Sequence, residues 1–233
     1  MSLIRREGSL LLVVDVQEGF YPPARTDVDR AAFEAYLDRV AWVAGIAAGL
    51  AVPAVVTEED PDKNGHSSAR VLARVPAGAS VLVKPVFGAG DNPPILAAIE
   101  RAAPDTVVIC GMETDVCIAH SALTLAGRGY RVVGVRDALF SPGAAHGHGI
   151  DRLLANGIEL LSAKEVFYDW TRTLADARAF VRDHPELADP PGFSLEKAPP
   201  ATHDSISESF SDRSLHRQAA AGMIAGWRRP HLP

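Results

Sequence analysis

Hydrophobic and polar positions follow the order of a repeated strand–helix unit along the chain. Short runs that are apolar throughout, typical of strands buried on both faces, alternate with segments in which apolar residues recur every three or four positions. The apolar runs predict six strands, at Ser9–Val16, Val52–Thr57, Ser80–Lys84, Thr106–Gly111, Tyr130–Arg136 and Ile158–Leu161. The periodic segments predict helices at Asp29–Leu50, Pro94–Ala103, Asp115–Arg128, His148–Asn156 and Thr171–Arg182.

Strands separated by helices imply parallel pairing with right-handed crossovers. We therefore predict an α/β fold with three layers, α/β/α, in which a doubly wound, Rossmann-like sheet of six mostly parallel strands carries helices on both faces. The hydrolase domain, by the argument below, is predicted over residues 1–184. Residues 185–233 are rich in Pro and Ser and poor in large apolar side chains, which predicts an extended arm whose end, Ser214–Trp227, could form a short helix.

The composition of the chain indicates which classes of binding partner and which cellular compartment to expect. The chain has 233 residues and a formal net charge of −6 without charge blocks, so no basic surface for nucleic acid is predicted. No apolar run approaches the roughly 20 residues of a membrane helix, and the charged N-terminus lacks a signal-peptide core. The two cysteines, Cys110 and Cys117, do not form a disulfide framework, and we expect a reduced, cytoplasmic protein.

Three chemically reactive side chains fall where predicted strands end. Asp15 ends the first strand, Lys84 ends the third, and Cys117 lies near the start of the helix after the fourth. Ligands of open parallel sheets bind beyond these strand ends. Taken singly, Asp15 is more typical of a turn, Lys84 of an exposed surface and Cys117 of a hydrophobic core. Together they predict an acyl-transfer site, in which the helix N-terminus lowers the thiol pKa and its N–H groups hold an oxyanion.

Other candidate groups have simpler interpretations. His120 could pair with Cys117 on one helix face, but packing or an interface explains it as well, and we favour that interpretation. His146 and His148 could reach the site or cap the next helix, and we favour the cap. The segment Glu58–His66 has carboxylates and one histidine without metal-site spacing, so we interpret it as a solvated loop and predict no metal or other cofactor. Cys110, inside an apolar strand, is interpreted as core.

Separated motifs, in the right order, resemble the isochorismatase-like cysteine hydrolase superfamily, close to its uncharacterised, nicotinamidase-related branch. They are Leu11-Leu-Val-Val-Asp15-Val-Gln17-Glu-Gly-Phe20, Lys84-Pro-Val-Phe87, Gly111-Met-Glu-Thr114-Asp-Val-Cys117 and Arg128-Gly-Tyr-Arg-Val-Val-Gly-Val-Arg-Asp137. The resemblance implies a triad of Cys117 as nucleophile, Asp15 as base and Lys84 as third member. It also implies a cis peptide between Met112 and Glu113, with the N–H groups of Glu113 and Cys117 forming an oxyanion hole.

We therefore predict a metal-independent amidohydrolase that cleaves a C–N bond of a small amide, ureido or carbamoyl compound through a thioester. Two alternatives stay open: a non-catalytic ligand-binding or scaffold member of the fold, and a vinyl ether hydrolase of the isochorismatase type, which does not need the cysteine. Phe20, Tyr21, Phe87 and Trp170 are predicted to line the substrate pocket. The resemblance further implies a homo-oligomer.

Overall fold

The computed structural model describes residues 2–192, and within them six strands form one sheet. Every neighbouring pair is parallel, in the order β3-β2-β1-β4-β5-β6. This is the strand order of doubly wound dinucleotide-binding folds, so the predicted fold class is confirmed and the mostly parallel sheet is wholly parallel. The strands are β1 Ser9–Val14, β2 Ala54–Glu58, β3 Ser80–Val83, β4 Thr106–Met112, β5 Arg131–Phe140 and β6 Glu159–Leu161.

Helices cover both faces of the sheet. One core packs α1, α3, α7 and α8 against it, and the second core packs α4, α5 and α6 against the opposite face. Successive β1 side chains alternate between the two cores, which explains why that strand is apolar throughout. The helices are α1 Arg30–Gly49, α2 Pro61–Asn64, α3 Ala69–Leu72, α4 Pro93–Ala102, α5 Ala119–Gly127, α6 Ala144–Ala155, α7 Ala163–Thr171 and α8 Leu174–Asp183.

Several predicted boundaries differ from the structure. Helix α7 was absent from the sequence prediction, although a capping box of Ser162 and Glu165 marks its start. Strand β5 continues to Phe140, and α6 begins at Ala144 instead of His148, because the Gly-rich segment is helical after Gly143. The short helices α2 and α3 occupy a segment predicted as loop or left unassigned. Each difference concerns short or Gly-containing segments, where periodicity is too brief to decide.

The folded unit extends beyond the boundary predicted at residue 184. It comprises Met1–Phe193, and Leu187 packs into the first core. The Trp42 indole N–H donates to the Leu187 carbonyl at 3.0 Å, and the Leu187 side chain lies over Gly45, where a Cβ would approach it to 2.9 Å. The helix predicted at Ser214–Trp227 lies outside the described residues. Within the described part, none of the helices has both the length and the apolarity that a bilayer span requires.

The strand order reverses between β1 and β4, and ligand crevices of such sheets form at this point. Gly111 lies there with φ of 127°, where a Cβ would approach the Val14 carbonyl oxygen to 2.0 Å. Only glycine fits this backbone position. The two central strands are therefore held close together immediately before the chain turns out of β4 toward Cys117.

Candidate active site

Asp15, Lys84 and Cys117 come together at the carboxyl edge of the sheet. Lys84 Nζ lies 2.7 Å from Asp15 Oδ2 and 3.4 Å from Cys117 Sγ. The Asp15 and Lys84 side chains are 0% exposed, and Cys117 is also buried. Burying a lysine and an aspartate costs several kcal/mol each unless they are paired, as they are here. The structure thus brings the three strand-end residues into one contacting cluster.

The position of Asp15 depends on both neighbouring strands. Its backbone is left-handed, with φ of 50°, a conformation that aspartate tolerates better than most residues. Its backbone N–H donates to the Thr57 carbonyl at 3.0 Å, and the Thr57 hydroxyl donates to Oδ1 at 2.7 Å. Among the described residues, Oδ2 accepts no hydrogen bond of regular geometry, and it lies 2.7 Å from the Lys84 ammonium. One carboxylate oxygen is therefore fixed, and the other is available to accept a proton.

Burial controls the protonation of the cluster. Burial raises the pKa of Asp15, with Lys84 opposing the change. Burial opposes the charge on Lys84, but Asp15 and Cys117 outweigh it and raise the pKa of the ammonium. Burial and the Asp15 carboxylate raise the pKa of the Cys117 thiol, while Lys84 alone lowers it. The sequence expectation of a lowered thiol pKa is therefore wrong for the free protein, because this helix start is buried and flanked by carboxylates.

A fourth side chain, Glu59, completes the cluster and was missed in the sequence analysis. The Cys117 thiol donates to Glu59 Oε2 at 3.1 Å, and Lys84 Nζ lies 3.5 Å from the same oxygen. The Glu59 side chain is 26% exposed, so it reaches from solvent to the thiol. The interpretation of this segment as a solvated loop is corrected here. The available signal was that Glu59 directly follows β2, which lies between β1 and β3 at the same sheet edge.

Gln17 fixes the backbone of Glu59. Its side-chain Oε1 accepts from the Glu59 N–H at 2.7 Å, and its Nε2 donates to the Glu59 carbonyl at 3.0 Å. Asn64 Nδ2 donates to the same carbonyl at 2.9 Å. The neighbouring Glu58 turns inward and accepts from the Ser67 N–H at 2.7 Å. The side chains of Gln17, Asn64 and Glu58 thus form hydrogen bonds within the loop. This network holds the Glu59 backbone in the position from which its side chain reaches the thiol.

Cys117 lies in a π-helical turn, Thr114–Ile118, between β4 and α5. The peptide bond between Met112 and Glu113 is cis. The Glu113 carbonyl accepts from the Ile118 N–H at 3.0 Å. Helix α6 packs directly onto the turn at Gly149, where a Cβ would lie 2.6 Å from the Asp115 backbone nitrogen. The turn that carries Cys117 is therefore closely packed.

Side chains from two other elements contact the same turn. The Tyr21 hydroxyl donates to Glu113 Oε1 at 2.7 Å. His146 Nδ1 lies 3.0 Å from the Thr114 hydroxyl, and α6 has no side-chain cap from either predicted histidine. The interpretation of His146 as a helix cap is therefore wrong. His120 packs its ring against Phe87, with centroids 5.7 Å apart, in agreement with a packing role.

The four aromatic residues predicted to line the pocket divide into different environments. Phe87 is 52% exposed and lines a cavity beside Lys84. Tyr21 is buried beneath the π-helical turn, and Phe20 packs partly buried against the first core. Trp170 does not reach the site: it is buried, and its indole N–H donates to the Ser9 hydroxyl at 3.1 Å, at the amino end of β1. The missed helix α7 carries Trp170 to the opposite end of the sheet.

The cavity beside the cluster has a volume of about 690 Å³. Glu59 and Lys84 line it and contact the Cys117 thiol, which is not itself a lining residue. The other lining residues are two carboxylates and an apolar group, namely Asp60, Asp62, Pro61, Val83, Pro85, Val86 and Phe87. Its size suits a small molecule. A thiol, a carboxylate base and an ammonium that contact one another beside such a cavity can together perform acyl transfer.

The cluster also includes potential metal ligands. Asp15, Glu59 and Cys117 each bring one ligand atom within 4.8 Å of the others. Lys84 Nζ lies within 3.5 Å of all three of these atoms. The ammonium therefore occupies the position that a cation would take, and it would repel a metal ion brought next to it. The donor set fits a metal poorly as long as Lys84 is charged.

Comparisons with known proteins identify the family and the fold. The isochorismatase domain profile matches residues 9–165. Mouse isochorismatase domain-containing protein 2A is 31% identical over 160 residues, which are 66% of this chain and 68% of the mouse protein.

Two solved structures show the same fold. The MAR1 ribonuclease of Caenorhabditis elegans has a TM-score of 0.71 and 21% identity, over 84% of this chain and 100% of that one. The YcaC gene product of Escherichia coli, described as an octameric hydrolase of unknown specificity, has a TM-score of 0.69 and 19% identity, over 91% and 98%. Since the family profile matches more than half of the chain, this chain belongs to the isochorismatase-like hydrolase family.

Proposed function

We propose that this hydrolase is a cysteine amidohydrolase that cleaves a C–N bond of a small amide, ureido or carbamoyl compound. One observation carries the proposal: the Cys117 sulfur lies 3.4 Å from a buried ammonium that is itself paired with Asp15, beside a cavity of small-molecule size. A thiol held next to a base and a cation is suited to nucleophilic attack on a carbonyl carbon.

The first half of the reaction forms a thioester. Asp15 Oδ2 accepts the thiol proton as Cys117 Sγ attacks the carbonyl carbon, and the raised pKa of Asp15 makes it a competent base near neutral pH. We assign the backbone N–H groups of Glu113 and Cys117 to the oxyanion. The intermediate then collapses, the C–N bond breaks, and Asp15 returns the proton to the leaving nitrogen.

The second half of the reaction releases the acid. Water attacks the thioester carbon and transfers a proton to Asp15, and the Cys117 sulfur leaves as a thiolate. The thiolate recovers its proton from Asp15 and restores the starting state. Lys84 stays protonated throughout and stabilises each anion formed beside it. No step requires a metal ion.

The charged groups around Cys117 and in the cavity argue against three other functions, namely vinyl ether hydrolysis, a non-catalytic scaffold and ribonuclease activity. Vinyl ether hydrolysis does not need a thiol, whereas the Cys117 thiol here contacts the Lys84 ammonium and the Glu59 carboxylate. A scaffold has no use for a buried lysine–aspartate pair, which an apolar pair would replace at no cost in stability. The ribonuclease activity of the nematode neighbour fits poorly, because Glu59, Asp60 and Asp62 would repel phosphate groups.

Assembly and location follow as further parts of the proposal. We propose a cytoplasmic homo-oligomer, as the octamer of the Escherichia coli neighbour suggests. The edge strand β3 supports this, because its Val81 and Val83 side chains are exposed in the single chain.

A substrate screen with detection of the intermediate tests the proposed reaction. Primary amides, ureas and carbamates would be incubated with the protein, and released ammonia would be measured. With any active compound, rapid acid quenching and peptide mass spectrometry should find the acyl group on the peptide that contains Cys117. Turnover without an acyl adduct under single-turnover conditions, or an adduct on Cys110 instead, would contradict the thioester mechanism.

A further inference from the structure

The cavity next to the nucleophile carries an excess of negative charge. Glu59, Asp60 and Asp62 line it, and the only basic lining residue in the described part of the chain is Lys84. The single Lys84 charge is shared between two carboxylates, because its Nζ lies 2.7 Å from the fully buried Asp15 and 3.5 Å from Glu59. A molecule that enters the cavity therefore meets carboxylates without a matching free cation.

Of the three carboxylates that line the cavity, Glu59 is the one that contacts the Cys117 thiol. Its Oε2 accepts a hydrogen bond from the thiol at 3.1 Å, so any substituent held by Glu59 lies beside the sulfur that attacks the substrate. When the thiol loses its proton, Glu59 is left next to a second anion, and the two repel each other. A cationic group on the substrate would occupy the vacated contact and remove the repulsion.

The rest of the cavity wall suits the stem of such a substrate. Val83, Val86 and Phe87 add exposed apolar surface to the lining that contains the carboxylates. A short alkyl or aryl stem can contact this wall while its charged group reaches Glu59. A carboxylate on the same stem would face Glu59, Asp60 and Asp62 without compensation.

We infer that Glu59 is a specificity-determining residue that selects cationic amides, with an ammonium or amidinium group a few atoms from the scissile carbonyl, and rejects anionic ones. The inference rests on the proposed function for the scissile bond. It narrows the substrate class from any small amide, ureido or carbamoyl compound to positively charged members with an apolar stem.

The test uses thiol reagents of opposite charge and needs no substrate. Cys117 would be labelled with 2-aminoethyl methanethiosulfonate, a cation, and with 2-sulfonatoethyl methanethiosulfonate, an anion. In both reactions the thiolate sulfur attacks the reagent's sulfenyl sulfur, a disulfide forms, and methanesulfinate leaves. The measured quantity is the ratio of the two second-order rate constants, divided by the same ratio for free 2-mercaptoethanol. Changes in thiol pKa cancel in this ratio.

We expect the wild-type ratio to exceed that of the free thiol by at least about tenfold in favour of the cation, and Glu59→Gln to remove most of that excess. Glu100→Gln removes an exposed carboxylate on α4 and should leave the ratio unchanged, which controls for net charge. Cys117→Ala should abolish labelling and so identify the site. A ratio near that of the free thiol, or one that Glu59→Gln does not alter, would overturn the inference alone. Failure of both reagents to label Cys117 in the folded protein would overturn the proposed nucleophile and the inference together.

Discussion

Two cysteines seven positions apart show how differently one residue type can be placed. Cys110 lies inside β4 and packs into the core formed with α1, where burial alone raises the pKa of its thiol to about 12. Cys117 lies one turn beyond the same strand and packs on the other face, where Lys84 and Glu59 contact its sulfur. Both thiols are buried, and burial raises the pKa of both. Burial thus does not separate a structural thiol from a reactive one, whereas the polar groups that reach the sulfur do.

The contrast changes the expected mechanism. A thiol with a raised pKa stays protonated until the substrate arrives, so it is protected from oxidation and adventitious alkylation. The groups that can accept its proton, Asp15 and Glu59, are already in place. The thiolate therefore forms together with the attack on the substrate and is not stored in the free protein.

Replacing each cysteine in turn gives the largest expected difference. Cys117→Ala should lower kcat by roughly 10³-fold or more, because it removes the nucleophile. Cys110→Ala should keep wild-type kcat and lose about 1–2 kcal/mol of unfolding free energy through a small core cavity. Ammonia release and urea denaturation would measure the two effects. Comparable loss of kcat in both variants would show that the two thiols are not functionally distinct.

Removing the ammonium should make the environment of Cys117 resemble that of Cys110. Lys84→Met should slow iodoacetamide alkylation of Cys117 by about 100-fold, since the only group that lowers its pKa is gone. It should also cost about 3–5 kcal/mol of unfolding free energy, because Asp15 is left buried without a partner.

The double variant Asp15→Asn/Lys84→Met separates these two effects. It should regain most of the lost stability, because no unpaired charge remains, and alkylation should recover toward the wild-type rate, because the carboxylate that raises the thiol pKa is removed together with the ammonium that lowers it. A double variant that alkylates as slowly as Lys84→Met would show that the Asp15 carboxylate does not influence the thiol.

The pH dependence of alkylation sharpens the comparison further. Below its pKa a thiol gains thiolate about tenfold per pH unit, and the raised pKa of Cys117 extends this rise beyond pH 9, where an ordinary thiol levels off. Cys110 should stay unlabelled over the same range unless the protein unfolds. Glu59→Gln removes a carboxylate that raises the thiol pKa and should increase the rate at pH 7 severalfold. A plateau below pH 8 in the wild type would contradict the raised pKa.

The smallest expected effect is that of a chelator. Because the Lys84 ammonium lies among the three potential ligands, activity in EDTA should equal that in buffer. Steady-state kcat before and after dialysis against the chelator would measure this. Loss of activity that a divalent metal restores would show that a cation other than Lys84 operates at the cluster.

Much of the fold was predictable because its signals are local. Continuous apolar runs identified every strand of the sheet, and the order of strands and helices implied parallel pairing. The missed helix α7 and the early domain boundary have a different origin. Helix α7 is short and amphipathic, and Leu187 is a single apolar residue whose burial depends on Trp42 and Gly45 from a distant helix.

The site was predictable in part for a similar reason. Strand ends fix where Asp15, Lys84 and Cys117 lie, and three motifs suggested their roles before any contact was known. Glu59 follows a strand in the same way, but its acidic neighbours made it indistinguishable from a solvated loop. Trp170 was wrongly included in the predicted pocket, because the position of an aromatic residue after the last strand does not indicate which end of the sheet its side chain reaches.

The sequence by itself determined the sheet, the layers and the residues placed at the carboxyl edge, because hydrophobic period and strand ends are properties of short segments. The tertiary structure alone decided how these residues are charged. Whether the Cys117 thiol is acidic or protected depends on burial and on carboxylates contributed by β1 and by the segment after β2, which lie far away along the chain. Electrostatic interactions of this kind depend on distances between side chains and on exclusion of water, and both exist only once the chain has folded.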